Sequence, residues 1–293
     1  MPLTITPTTI RQILTRTCGF LKDVSSHSLQ PYCGCALGNS LCGVGCYVQH
    51  NIHITKGRPW GSFVEARTNA AQAYQSQYPR EQAWARRARG QFGIFLSSST
   101  EPFQPAEKKY RITRSLLETM LDFPPDFLIL QTHCPQVTDY LDLYPDLAQR
   151  TNLRFHISIE TDTDRLGALP NPASPIARRI QAAAQLRAAG LRTVITISPL
   201  LPINNPEKFF ADLAQAADAV VIDHFIGGDG SPNGARTHRT PLPQAMAQID
   251  PTAITLEYRE KIIAIARRHF PNSTGVNIEG FAGRFEPSSN PSS

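Results

Sequence analysis

A chain of 293 residues with a formal charge of +5 and 41% hydrophobic residues has the apolar content for a large core and too little charge to stay unfolded. No apolar run approaches the roughly 18 residues a membrane span needs, and the opening MPLTITPTTIRQILTRTCGF lacks the basic-then-apolar order of a secretory signal. A cytoplasmic protein is expected, and there six cysteines favour metal or redox chemistry over disulfides.

In chain order, residues 1–26 read as an N-terminal extension, 27–281 as one unit, and 282–293, ending EPSSNPSS, as a tail too poor in apolar residues to order itself. A short extended stretch, HSLQPY at 27–32, leads into a turn-rich cysteine loop. The basic run RRARG at 86–90 reads as a solvated helix face in preference to a phosphate contact. Strands are expected at 93–98, 127–131, 154–160, 193–198 and 219–223, where short apolar runs are rich in β-branched residues. Between them, NPASPIARRIQAAAQLRAAG reads as a helix with Ser174 as N-cap, Pro175 opening it, Ile176, Ile180, Ala183 and Ala184 on one face, and Gly190 as its stop. NNPEKFFADLAQAA repeats the pattern, with Asn205 capping, Pro206 opening, and Phe209, Phe210, Leu213 and Ala217 forming the buried stripe.

Strand followed by helix, several times over, implies a parallel α/β sheet with right-handed crossovers. RFHISIE decides between an open sheet and a barrel. His156, Ser158 and Glu160 share one face and Phe155, Ile157 and Ile159 the other, whereas a strand covered by helices on both sides would be apolar throughout. TVITIS repeats this with Thr196 and Ser198. Polar groups gathering at the C-terminal strand ends suit a barrel that holds a ligand at that mouth.

The loop PYCGCALGNSLCGVGCYVQ places Cys33, Cys35, Cys42 and Cys46 at the mouth of the first strand. Zinc would take all four thiolates in a closed tetrahedron, whereas an iron-sulfur cluster would take three. The spacing Cys-x-Cys-x6-Cys-x3-Cys matches neither a zinc ribbon nor an ordinary ferredoxin, so on spacing alone both stay open.

QPYCGCALGNSLCGVGCYVQ resembles a stretched form of the Asn-Pro-Tyr-x-Gly-Cys-x-His-x-Cys-x-Tyr-Cys-Tyr loop of the radical S-adenosylmethionine enzymes related to spore photoproduct lyase. SSSTEPFQPAEKKYRITRSLLE is similar to that family's Thr-Asp-Pro-Tyr-Gln-Pro-x-Glu segment and the helix after it. LQTHCPQVTDYLDLY resembles its third strand and loop, and residues 156–205 its fourth strand, Pro-rich loop, helix and fifth strand. The likeness runs over about residues 27–225. The family spaces its ligands Cys-x3-Cys-x2-Cys, so this chain adds three residues in the first interval and one in the second. Anchoring PYxGC and CY makes Cys35, Cys42 and Cys46 the ligands, and leaves Cys33 as an accessory thiol, a replacement ligand or a small buried residue.

The resemblance implies a partial (β/α)6 barrel of the TIM type. It implies a 4Fe-4S cluster whose fourth iron is chelated by S-adenosyl-L-methionine, reductive cleavage to a 5'-deoxyadenosyl radical, and an electron donor such as flavodoxin or ferredoxin. Tyr47 takes the aromatic place near the adenine. Ser99, Thr100 and Glu101 are expected at the methionine ammonium, Ser158 and Glu160 at the ribose or the amino-acid moiety, and Thr196 and Ser198 at the same ligand. His133, Cys134 and Cys33 are the candidate catalytic residues. Where the family carries a hydrogen-donating cysteine, in Cys-Thr-Ser-Asp, this chain has Ser98, so a small or modified substrate is expected rather than the spore thymine dimer. Nucleic acid is the less favoured substrate class. A non-enzymatic zinc or iron-sulfur protein on the same scaffold is the alternative. The basic, glycine-rich stretch 227–244, with Arg236, His238 and Arg239, is a candidate cover for the mouth.

Overall fold

The computed structural model describes residues 2–285; of the tail expected at 282–293, residues 286–293 lie outside the described residues. Eleven strands fall into two sheets: β1 Thr4–Thr8, β2 Leu14–Arg16, β3 His27–Leu29, β4 Tyr32–Gly34, β5 Phe63–Arg67, β6 Gly93–Leu96, β7 Phe127–Thr132, β8 Asn152–Ser158, β9 Arg192–Ile197, β10 Ala219–Ile222 and β11 Thr274–Val276. The larger sheet has eight strands in the order β11-β10-β9-β8-β7-β6-β3-β2. From β3 to β11 every neighbouring pair is parallel, and β2 pairs antiparallel with β3 at the edge. The sheet does not close on itself. It is the expected partial barrel, with β11 as a seventh parallel strand.

The expected N-terminal extension contributes a strand to each sheet. Besides β2, β1 pairs parallel with β5, and β5 pairs antiparallel with β4, giving a three-stranded sheet that ends where the cysteine loop begins. HSLQPY is thus divided: 27–29 joins the barrel and Tyr32 joins the small sheet.

Helix Ala70–Arg89 ends in a left-handed Gly90, and its last turn carries Arg86, Arg87 and Arg89, cations placed where the helix dipole favours them. Arg86 pairs with Asp126 at 2.6 Å, in keeping with a solvated face. In Pro206–Ala216 the Asn205 side chain accepts from Lys208 N at 3.1 Å, and Phe209, Phe210 and Leu213 are buried. Helix Ile176–Ala188 departs from expectation. Ser174 makes no cap; the Ile176 amide donates instead to Asp164 Oδ1 at 2.9 Å, from the loop after β8. Its buried stripe is Ile176, Arg179, Ala182, Ala183 and Leu186, with Ile180 and Ala184 only partly buried. Among the described residues no helix is long and apolar enough to cross a membrane.

Strand parity divides the inner face into two tiers. The lower tier is apolar, with Phe95, Ile129, Val194, Ala219 and Val221 packed together. Two residues further along the same strands lie Ser97, Gln131, Thr196 and Asp223, and beside His156 stands Ser158. The open side is closed by segments from both ends of the chain. Phe20, in the turn Gly19–Asp23, meets Phe281, in Asn277–Phe281, at 5.7 Å between ring centroids, and Phe281 also packs on Phe95 and His156.

Candidate functional site

Above the polar tier lies a cavity of about 440 Å³. The cysteine loop forms one wall, and its shape follows from a few anchors. Glu107, fully enclosed, accepts from the Tyr32 and Tyr140 hydroxyls and from the Thr113 and Arg114 amides, joining β4 to the helix Ile112–Asp122. Thr100 Oγ1 donates to Gly34 O at 2.5 Å, and the Ala36 amide donates to Gln104 Oε1 at 2.9 Å. The residues between Cys35 and Cys42 then fold back on themselves, with Ser40 N and Oγ both donating to Leu37 O. Gly38 lies against the Gly61 backbone, and Gly43 against Leu37 O and Gly38, so closely that a Cβ on either would collide. The Leu41 amide donates to Asn171 O at 3.1 Å, tying this turn to the Pro-rich loop. Cys42 rides on the short helix Leu41–Gly45, and Cys46 follows it.

Cys35, Cys42 and Cys46 consequently line one cavity despite their wide spacing. Cys33 does not line it: it belongs to β4, and its Sγ lies 3.7 Å from Ile54 O. Cys134 is buried and lines a separate hollow with Lys108 and Arg111. Cys18, which sequence reasoning passed over, does line the cavity. Burial pushes the Cys35 thiol well up and the Cys46 thiol to about 12, with the neighbouring Cys42 adding to both. Thiols so placed are reluctant to ionise without a cation beside them.

Tyr47, Ser99, Thr100, Glu101, Glu160, Ser198 and His133 also line the cavity. Ser158 and Thr196 do not: both are fully buried beneath it, 3.2 Å apart, with Gln131 Nε2 donating to Ser158 Oγ at 3.2 Å. Glu101 accepts from Thr132 Oγ1 at 2.6 Å and from the amides of His133 at 2.8 Å and Phe103 at 3.0 Å, so it also fixes the loop after β7. His133 stands between two carboxylates, its Nε2 2.9 Å from Glu160 Oε1 and its Nδ1 3.7 Å from Glu101 Oε2. Burial acts against protonating this imidazole, but Cys42 and Glu160 outweigh it and hold the ring well above its usual range.

Besides Cys18, three groups were not foreseen from sequence. Arg179 is 2% exposed and donates from Nη1 to Ser158 O at 2.5 Å and to Glu160 Oε2 at 2.9 Å. Burial alone would raise Glu160, yet Arg179 and His133 overcome it and hold the carboxyl down at about 2. The signal was a lone cation inside an apolar helical stripe. Asp223 lies one residue beyond the end of β10, lines the cavity, and accepts from Ser198 Oγ at 2.9 Å. Asp229 is the third. It accepts from Ser231 and Thr237 and so folds part of 227–244 over the mouth, where Arg236 lines the cavity with its Nη1 on Asp229 O at 3.1 Å.

Among the described residues no three His, Cys, Asp or Glu side chains are already drawn together around a metal position. As a donor set, three soft thiols on one wall suit an iron-sulfur cluster and not a hard oxygen-seeking cation. The closed zinc site of Cys33, Cys35, Cys42 and Cys46 does not form, because Cys33 lies outside the cavity with its Sγ near Ile54 O.

No protein-family model matches the sequence, and no curated protein matches it. Solved structures of spore photoproduct lyase do match in fold. A variant of that enzyme with bound AdoMet and dinucleoside spore photoproduct aligns at TM-score 0.58 and 13% identity, over 94% of this chain and 81% of the other. The enzyme complexed with dinucleoside spore photoproduct aligns at TM-score 0.57 and 14% identity, over 93% and 81%. At such identities the likeness establishes the fold.

Proposed function

We propose that this chain is a radical S-adenosylmethionine enzyme acting on a small or modified substrate. The observation that carries the reading is the convergence of Cys35, Cys42 and Cys46 with polar strand-end side chains on one cavity, at the ligand-binding mouth of a partial barrel. Those three thiolates would hold a 4Fe-4S cluster, leaving S-adenosylmethionine to occupy the adjoining space under Tyr47, Ser99 and Glu160. Cluster and cofactor together supply one-electron cleavage to a hydrogen-abstracting 5'-deoxyadenosyl radical, a chemistry that belongs to the cofactors. The protein's own contribution is positional. Glu107 fixes the root of the cysteine loop, Glu101 fixes the loop bearing His133, and Arg179 keeps Glu160 ionised at the cavity edge. The loop folded around Asp229 lines the cavity and would limit access of water to a bound cofactor. An electron donor of the flavodoxin or ferredoxin kind completes the scheme.

A second reading, repair of a DNA photoproduct, is favoured by the dinucleoside lesion bound to the structural neighbours. It ranks lower because Ser98, at the cavity where a thiol donor would be needed, accepts from Gln30 Nε2 at 2.8 Å and carries only an O–H bond, too strong to quench a carbon radical.

Anaerobic reconstitution tests the first reading. About four irons and four sulfides per chain are expected, with cleavage of S-adenosylmethionine to 5'-deoxyadenosine and methionine on reduction. Replacing Cys35, Cys42 or Cys46 with Ala should abolish the cluster, and Cys33→Ala should keep it. One zinc without sulfide would overturn the proposal. In the same assay, rapid recovery of thymine from the dinucleoside lesion would install the second reading.

A further inference from the structure

The cavity has a chemical bias of its own. Four carboxylates line the cavity, Glu101, Glu160, Asp223 and Asp229, against one guanidinium, Arg236, and one imidazole, His133. Three of the four are already engaged: Glu101 by two amides and a hydroxyl, Glu160 by Arg179, and Asp229 by its own loop. Asp223 is held differently. Besides Ser198 Oγ, its partner is the Asn277 amide. With that amide oriented to satisfy both neighbours, its nitrogen donates to Asp223 Oδ1 at 2.9 Å and its oxygen accepts from Arg259 Nη1 at 3.0 Å. The carboxylate is therefore fixed by neutral donors, and the cation behind it is one residue removed. Gly228 presses against it so tightly that a Cβ there would collide with the carboxylate, so the backbone itself holds Asp223 in place.

A second wall adds an independent sign of a missing ligand. Ser97 follows β6 on the side of the lumen away from β10, lines the same cavity, and is 6% exposed. Its hydroxyl has no hydrogen-bond partner, although buried hydroxyls are nearly always satisfied. Its backbone sits at φ +73°, a left-handed conformation that costs a non-glycine residue free energy and tends to occur at functional positions.

We infer that the inner chamber between Asp223 and Ser97 binds a small organic cation, its ammonium-type group on the Asp223 carboxylate and a second polar group on Ser97. This rests on the enzyme reading above and adds the class of substrate. Burial pushes the Asp223 carboxyl up to about 7, a cost that a bound ammonium would offset. The same lining repels a phosphodiester, whose charge has the wrong sign for Asp223.

The test uses the full-length chain, with and without reconstituted cluster, and ligand-observed NMR titration with n-butylammonium, n-butanol and thymidylyl-thymidine. Butylammonium should bind about tenfold more tightly than butanol, as a charge-assisted contact implies, and thymidylyl-thymidine should not bind in the chamber. Asp223→Asn, close to isosteric, should remove about that tenfold preference, and Ser97→Ala should weaken binding several-fold if the added polar group is supplied by 4-aminobutanol. Equal binding of butylammonium and butanol, or an Asp223→Asn variant that folds and keeps the preference, would overturn the inference. So would displacement of butylammonium by S-adenosylmethionine, which would assign Asp223 to the cofactor. Iron content and cofactor cleavage are read on the unsubstituted chain without added amine, so the enzyme reading is tested separately.

Discussion

Asp223 has a consequence for stability that is separate from any ligand. Its carboxyl is raised by burial from 3.8 to about 7, so the folded chain prefers it neutral. For a raised carboxyl the stabilising contribution is fully present below the unfolded pKa and is lost as pH rises through the folded one. Between pH 4 and pH 7 the chain should therefore lose stability on this residue's account, and Asp223→Asn should escape the loss. In urea unfolding, the variant should be more stable than the parent at pH 8 by roughly 2–4 kcal/mol, with little difference at pH 4. A variant less stable than the parent at pH 8, by a margin that shrinks toward pH 4, would show that the ionised form is the one the fold prefers. Residues at this scale were unevenly legible. Cys35, Cys42 and Cys46 stood out because clustered thiols have few bland uses. Arg179 did not, because an arginine on a helix ordinarily reaches solvent, and its Glu160 partner is 19 residues away. Asp223 was passed over because a single carboxylate at the last position of an expected strand looks like the lead into a turn.

At the scale of elements, strand ends were legible to within two residues along much of the barrel, since β-branched runs bounded by turns mark them plainly. Strand parity likewise foretold which side of β8 and β9 would face the lumen. It could not tell which tier a polar residue occupies, and so Ser158 and Thr196 were expected at the ligand but bond to one another below it. The helix start at Ile176 shows another limit: its cap comes from Asp164, 12 residues back, through a loop whose path no local pattern encodes. The cysteine loop is the element on which the site depends most. A methyl group on Gly43 would strike Leu37 O and Gly38, whereas one on Gly45 would meet chiefly the Leu242 side chain. Gly43→Ala should thus lower stability by about 2–3 kcal/mol and cut iron retention after reconstitution, with a smaller effect for Gly45→Ala, measured by thermal melts and iron assay. Equal iron retention in both variants would mean that the packing of the loop does not set the positions of its thiols.

For the molecule as a whole, the open sheet needs its seam filled, and what fills it was not legible beforehand, because the segments concerned were read as an extension at one end and as terminal elements at the other. Phe281 touches Phe20, Phe95 and His156, and burial with desolvation pushes the His156 imidazole down to about 3. Phe281→Ala should cost about 3–5 kcal/mol, the range for removing a buried aromatic ring. If water then reaches His156, its titration in NMR should move back toward 6.5; an unmoved titration would show the lumen sealed by other groups. The pairing of Phe20 with Phe281 also bears on how the protein is made. The two rings belong to segments separated by nearly the whole described chain, so during synthesis the seam stays open until the last helix has left the ribosome. The hydrogen bonds that shape the small sheet and the cysteine loop reach no farther along the chain than Asn171, although Leu242 later packs against Gly45. The thiols can therefore be in position well before the chamber beside them is closed, and a newly made chain passes through a stage in which its metal-binding loop is still open to whatever delivers the metal.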